Sequence, residues 1–467
     1  MKKQIFCLIL LFACMGTSVQ SKVRFASVFT DNMVLQRNSQ VTIWGWANPG
    51  EHVRLVGSWN PSDTIVVKSD NQSFWTAELP TADAGGPYAL TAMDGEKTTL
   101  QNILLGEVWL CSGQSNMEWS VNHGIKNGEA EAAAAKNPNI RFYHVPKIGS
   151  DTPQENCLAS WEVCTPETMR KTSAIAYFFG KDLQEDLDVP IGLIVSAWGG
   201  TPAEVWVPAE KVLQDPLLNQ ASQVRAEYDW WPKIPGRCYN SMIHPLVPYG
   251  IAGAIWYQGE SNAAVGQTAS YDLLMRTLIR SWREAFQKDI PFYFVQIAPY
   301  AYGEGEHAYL IREQQAKTAQ FDHTGMVVLW DLVDDVKNIH PKNKQDVGRR
   351  LANWALAKNY NRADLVYQSP AYQTMQIEKN KIRILFDFVP NGLKSADKQI
   401  TGFAIAGEDQ QFVPAKVKID GKTVVVSAPG VKKPVAVRYL FDNTSIGNLF
   451  STEGLPVGPF RTDQFAE

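Results

Sequence analysis

Glu107-Val108-Trp109-Leu110-Cys111-Ser112-Gly113-Gln114-Ser115-Asn116-Met117 sets the frame for the whole chain. An apolar run of strand length ends at a glycine and passes at once into polar residues. A buried parallel strand delivers a loop at its carboxyl end in this way. Downstream, strand-like apolar runs recur at 191–196, 253–257, 292–297 and 326–329, with helical patterns at 174–187, 271–286 and 346–358 between them. That alternation predicts an α/β domain over residues 104–366 built on a doubly wound parallel sheet. In such a sheet, function gathers in the loops at the carboxyl ends of the strands.

On either side the rhythm changes. Over residues 22–103, Val41-Thr42-Ile43-Trp44-Gly45-Trp46 alternates and is closed by Asn48-Pro49-Gly50, and short runs follow at 53–56, 64–68 and 88–93. Short strands broken by Pro and Gly predict a small antiparallel sandwich. Residues 367–467 return to strands, with 415–419 and 423–427 joined by the hairpin signal Asp420-Gly421. This tail reads as a second β domain, either standing alone or packed with the first into one discontinuous sandwich.

At 467 residues the chain is long enough for roughly two to four domains. It is 45% hydrophobic and 20% charged, the composition of an ordinary globular protein. A net charge of −4 offers no basic field for a polyanion, which argues against nucleic acid as a partner. Residues 1–21 read as a signal peptide. Lys2 and Lys3 are followed by an apolar stretch over 5–15, too short to span a bilayer, with cleavage expected after Ser21. The chain is therefore expected to be exported to a periplasmic or extracellular location, with no transmembrane segment. Leu11-Phe12-Ala13-Cys14 is an imperfect lipobox, so a lipoprotein is the competing reading. Four cysteines then remain, and Cys157 with Cys164 could bridge locally in an oxidising compartment or persist as buried thiols. Their spacing matches no metal-ligand pattern, and no metal or other cofactor is expected.

Ser115, beside a glycine just past a strand end, stands where a nucleophile can be held on a tight turn, although Met117 occupies the place of the second glycine of a Gly-x-Ser-x-Gly elbow. A serine hydroxyl needs a neighbouring base, and the chain has seven histidines. His340 is set apart by its context Asn338-Ile339-His340-Pro341, a loop leading into the last helix of the α/β region. Two further segments follow predicted strands. Trp198-Gly199-Gly200-Thr201 offers main-chain N–H groups at close approach, and Trp256-Tyr257-Gln258-Gly259-Glu260-Ser261-Asn262 delivers amides and a carboxylate.

These blocks, in this order, resemble the sialate O-acetylesterase family, a branch of the SGNH-type esterases. The resemblance rests on Gly113–Met117 as quoted above, on Trp198-Gly199-Gly200-Thr201-Pro202, on Trp256 to Asn262, and on His340-Pro341 with Asn343-Lys344 and Val347-Gly348-Arg349-Arg350-Leu351-Ala352. It extends into the first β domain through Asp31-Asn32-Met33-Val34-Leu35-Gln36-Arg37. It implies an SGNH-hydrolase-like sheet flanked by β-sandwich domains and an acetylated carbohydrate, sialic acid first, as substrate. It implies Ser115 as nucleophile, His340 as base, an oxyanion hole from Ser115, Gly200 and Gln258, and support from Glu260 and Asn262. Relatives often place an aspartate shortly before the histidine, where this chain has Lys337 and Asn338. Asn338, or else Asp334 or Asp335, is then expected to orient the ring. Arg237 is a candidate partner for a sialic acid carboxylate. Acetylxylan or another acetylated carbohydrate is the alternative substrate, and a non-catalytic carbohydrate-binding protein with a degenerate hydrolase domain is the alternative of another class.

Overall fold

The computed structural model describes residues 22–224 and 228–465, so the expected signal peptide lies outside the described residues. Seven strands form the sheet that matters for function: β1 (Lys97–Gly113), β2 (Asn137–His144), β3 (Trp161–Cys164), β4 (Ile191–Ala197), β5 (Gly253–Tyr257), β6 (Phe292–Val295) and β7 (Thr324–Val327). Their order is β3-β2-β4-β1-β5-β6-β7, parallel throughout except for the antiparallel edge strand β3. The chain starts at the centre and winds outward both ways, so β1 sits at the topological switch where ligand crevices open.

Helices cover both faces, which is why β4 and β5 are buried along their whole length. On one face lie α2 (Ala174–Leu187) and α5 (Lys344–Asn359), packed on each other. Here Trp109 meets Phe179 at 5.0 Å and Tyr293 stacks on Trp354 at 5.8 Å. On the other face lie α3 (Tyr271–Ala285) and α4 (Ala308–Thr318), where Trp256 and Phe292 pack edge-on against Trp282. Phe292 and Tyr293 are sequence neighbours on opposite faces, the period-two alternation of a strand.

The expected boundary at 103/104 falls inside a strand. β1 is 17 residues long. Its first half pairs with Val34–Gln36 and Gly85–Met93 of the N-terminal β region, and its second half pairs with β4 and β5. One hydrophobic core accordingly runs from the N-terminal strands through the α/β layers. The joint is also polar: the buried Glu107 carboxylate accepts from Gln36 Nε2 at 2.8 Å, Arg37 Nε at 2.7 Å and Tyr360 Oη at 2.9 Å. The other N-terminal sheet, Arg24–Phe25 with Gln40–Trp46 and Phe74–Pro80, completes the expected sandwich.

The C-terminal strands form sheets of their own, Ala371–Glu378 with Lys381–Asp387, Thr423–Ser427 and Lys416–Asp420 facing a second four-stranded sheet. They enclose a separate core, into which Val328 and Trp330 of the α/β region project. Among the described residues the N-terminal and C-terminal strands share neither a sheet nor a core. Cys111, Cys157, Cys164 and Cys238 are all buried free thiols, so the 157–164 bridge is absent. No helix among the described residues is long and apolar enough to cross a membrane.

Candidate active site

Register brings the site together. Gly113 of β1 pairs with Ala197 of β4 on one side and with Tyr257 of β5 on the other, so three strand ends stop at the same level. The segments 114–119, 198–201 and 258–262 therefore emerge side by side. Gly113 has φ +139°, and a Cβ there would stand 2.2 Å from the Tyr257 carbonyl oxygen, so only glycine lets the strands stay paired while the chain turns into Ser115.

The turn opens a short helix, α1 (Ser115–Glu118). Ser115 Oγ lies 2.9 Å from His340 Nε2, a hydrogen bond closed across 225 residues. The imidazole stacks on Trp119 at 4.2 Å between centroids and 20° between planes. Burial pushes its pKa down to about 4, with the charges of Lys344 and His123 adding to the effect. His340 is thus neutral at ordinary pH, with Nε2 able to accept.

Asn338 does not reach the ring. Its Oδ1 accepts from the main-chain N–H of His340 at 3.0 Å, which fixes the loop rather than the imidazole. Asp335 Oδ1 is engaged with the Lys337 N–H at 2.8 Å. Among the described residues no carboxylate hydrogen-bonds the His340 ring, so neither Asp334 nor Asp335 takes the expected place.

The loop after β4 packs on the Ser115 turn. Gly199 N–H donates to Glu118 Oε2 at 2.6 Å, and Glu118 Oε1 accepts from Lys147 Nζ at 2.6 Å. Gly200 adopts φ +82°, where a Cβ would come within 2.4 Å of Trp231 Nε1. Ser261 Oγ donates to the Gly200 carbonyl at 2.9 Å. Neither the Ser115 nor the Gly200 N–H takes a hydrogen-bond partner among the described residues.

Gln258 is placed differently from the expectation. It is wholly buried, and its Nε2 donates to Thr201 O at 3.3 Å and to Asn262 Oδ1 at 2.7 Å while Oε1 accepts from Tyr271 Oη at 2.8 Å. Both amide hydrogens are used. Asn262 continues this framework, accepting from Ala203 N–H at 3.0 Å and donating to Glu204 Oε2 at 2.9 Å. Gln258 and Asn262 brace the loops from beneath.

Glu260 belongs to a different network, one that the motif by itself does not reveal. Asn116 Nδ2 donates to Glu260 Oε1 at 2.6 Å and to the Ile339 carbonyl at 3.1 Å, while Asn116 Oδ1 accepts from Lys344 Nζ at 2.6 Å. The residue after the nucleophile thus ties down the residue before the base. Lys344 is fully buried, 5.6 Å from the Trp119 ring and 5.7 Å from Tyr257. Burial draws its ammonium down to about 7, opposed by the Glu260 charge, and burial raises the Glu260 carboxyl. The sequence signal for Lys344 is a cation one turn before Val347 on the apolar face of α5. Trp119 leaves no comparable trace.

Arg237 lies in a cleft beside this site, but its guanidinium is held by Asp151, Nε to Oδ1 at 2.6 Å.

A family profile described as carbohydrate esterase, sialic acid-specific acetylesterase matches residues 105–357. Human sialate O-acetylesterase is 30% identical over 397 residues, covering 77% of this chain and 75% of that protein. The mouse sialate O-acetylesterase is 30% identical over 431 residues, covering 79% of each. The crystal structure of a carbohydrate acetylesterase from Xanthomonas citri superposes with a TM-score of 0.87 at 35% identity, covering 95% of this chain and all of that one. The chain is a carboxylic ester hydrolase and belongs to the sialic acid-specific acetylesterase family of carbohydrate esterases.

Proposed function

We propose that the protein is an exported serine esterase that removes acetyl groups from a carbohydrate through a Ser115–His340 dyad. The 2.9 Å contact between Oγ and Nε2 carries this reading. Ser115 Oγ attacks the acetyl carbonyl carbon as its proton passes to His340 Nε2. The carbonyl oxygen becomes an oxyanion facing the unpartnered N–H groups of Ser115 and Gly200, each such donor being worth about 100–1000-fold in rate. The tetrahedral centre collapses, the bond to the sugar oxygen breaks, and that oxygen leaves with the proton from His340. Water then repeats the sequence on the acetyl-enzyme, returning the proton to Ser115 and releasing acetate.

Among the described residues no carboxylate stabilises the imidazolium of this cycle. The Trp119 face, stacked 4.2 Å away, supports that role, since an aromatic face attracts a cation. Asn338 and Asn116 hold the loop, and with it the ring's height over Ser115.

Sialic acid is the first glycan to test, because it is the one the curated relatives are named for. The Arg237–Asp151 ion pair favours a second reading, an ester on an uncharged sugar, because the cleft's guanidinium already has a carboxylate. Export rests on the N-terminal sequence pattern. The test compares acetate release by wild type and Ser115→Ala from 9-O-acetylated sialic acid and from acetylated xylan. A loss of roughly 1000-fold or more in the variant is expected; equal release by both proteins would remove Ser115 from the reaction.

A further inference from the structure

Beyond the oxyanion loop the surface turns aromatic. Tyr228 and Trp231 pair as a tight antiparallel bridge. Trp231 packs on Gly200, whose α-carbon leaves no room for a side chain between them. Gly199, one residue earlier, sits against the nucleophile: a Cβ there would stand 3.3 Å from the Ser115 Cβ. Nucleophile, glycine loop and aromatic bridge thus stand in one continuous line. Trp198 Nε1 donates to the Trp230 carbonyl at 3.1 Å, pinning the bridge to the end of β4.

This placement leaves large rings in water. Trp230 is 66% exposed and Tyr228 41% exposed, and Tyr228 lies 5.0 Å from Trp230 and 4.7 Å from Trp231 between ring centroids. The bridge borders a cleft of about 290 Å³ whose walls include Trp198, Tyr228 and Trp231. A chain gains nothing in stability by holding such rings exposed, because burial of each would be worth about 1.5–3 kcal/mol or more. Flat apolar rings rimmed by polar groups suit a ligand with one C–H face and hydroxyls around its edge.

Charge narrows the ligand. The cleft's cation, Arg237, is paired with Asp151, and Asp229 adds a further carboxylate to the lining. Among the described residues, a second anion brought by a ligand would meet this carboxylate without an uncommitted cation in the lining to receive it.

We propose that the Tyr228–Trp231 bridge and Trp198 form a glycan subsite beside Ser115 that stacks an uncharged pyranose ring of the ester-bearing carbohydrate. It rests on the esterase reading above and specifies the sugar that reading leaves open. Tyr228, exposed and without a contact to Ser115 or His340, is a specificity residue.

The test separates binding from chemistry. Ser115→Ala is titrated with deacetylated xylohexaose, cellohexaose and mannohexaose, and with N-acetylneuraminic acid, following tryptophan fluorescence. At least one neutral hexaose is expected to bind more tightly than N-acetylneuraminic acid. Adding Tyr228→Ala should weaken that binding about tenfold, the worth of roughly 60 Å² of apolar face removed from water. Tyr228→Phe, which keeps the ring, should restore it. Phe388→Ala, an exposed ring on the C-terminal domain, serves as the control and should leave binding unchanged. Tighter binding of N-acetylneuraminic acid, no binding of any hexaose, or equal binding with and without the Tyr228 ring would overturn the subsite. None of these outcomes depends on Ser115 chemistry, so a failure of the dyad would show separately, as undiminished acetate release by Ser115→Ala.

Discussion

Replacing Lys344 by methionine should move the acid limb of the reaction to higher pH. Lys344 Nζ is buried between Trp119, Tyr257 and Asn116, and its charge holds the His340 proton affinity down. The groups facing His340 are Ser115, Trp119, Lys344 and, beyond the indole, His123; the Glu260 carboxyl acts on Lys344. From an ordinary 6.5, His340 is lowered to about 4, with burial the largest cause and Lys344 the second. The second of three causes can supply at most half of the drop, so its removal raises His340 by about one pH unit at most. Because only neutral imidazole can accept the Ser115 proton, kcat/KM with 4-nitrophenyl acetate should fall below about pH 4 in wild type and nearer pH 5 in Lys344→Met. At pH 4.5 that is a loss of up to about threefold, vanishing by pH 7. Lys344 also binds its proton less readily folded than unfolded, so native stability should decline as pH falls from about 10.5 to about 7. Lys344→Met should flatten that slope in urea titrations. An acid limb that stays put or moves downward in a folded variant would refute the assignment of Lys344 as the cation that tunes His340.

Three further outcomes follow from the geometry. Gly200→Ala should lose about 100–1000-fold in kcat, because a side chain at φ +82° displaces Trp231 and tilts the Gly200 N–H; activity within tenfold of wild type would exclude that donor. Gln258→Ala should cost about 2–3 kcal/mol of stability by removing the buried hydrogen bonds to Asn262 Oδ1 and Tyr271 Oη and leaving the side chain's space unfilled, with kcat of the folded fraction changing by less than tenfold. A 100-fold fall in kcat at unchanged stability would return Gln258 to the oxyanion hole. Asn116→Ala should lower kcat about tenfold or more while KM holds, since it releases Ile339, Glu260 and Lys344 together; steady-state kinetics on an acetylated glycan would read the split.

The strand-end logic made most of this site legible. Buried parallel strands read as unbroken apolar runs, so β1, β4 and β5 could be seen to end near Gly113, Ala197 and Tyr257, and the loops after them were the right ones to search. Two features escaped for physical reasons. A strand of 17 residues can serve two sheets, so the composition shift near residue 103 marks a change of partners along β1 rather than a domain boundary. A motif gives the order of side chains but not their direction. The resemblance implies Gln258 for the oxyanion hole and Glu260 for its support, yet one faces the Thr201–Tyr271 framework and the other faces Asn116 and Lys344.

The missing aspartate belongs to the same question of direction. A carboxylate beside the imidazole would raise its pKa and stabilise its charged form. This site does the opposite, with the Lys344 charge lowering the ring's proton affinity and a carboxyl, Glu260, balancing the lysine instead. The result is a base of low proton affinity that stays unprotonated well into the acid range, with an indole face to receive the transient cation. Asn338→Asp tests that arrangement without removing any contact, since either Oδ can still accept the His340 N–H. Its charge should raise the His340 pKa and carry the acid limb upward, opposite in origin but equal in direction to Lys344→Met. If the two substitutions are combined, their upward shifts should add within about 0.3 units, because no hydrogen bond joins residue 338 to Lys344 and each charge acts on the ring by itself. A double variant that shifts no further than the larger of the two single changes would mean that the introduced carboxylate works only by offsetting the lysine charge, and that the ring does not feel the two groups independently.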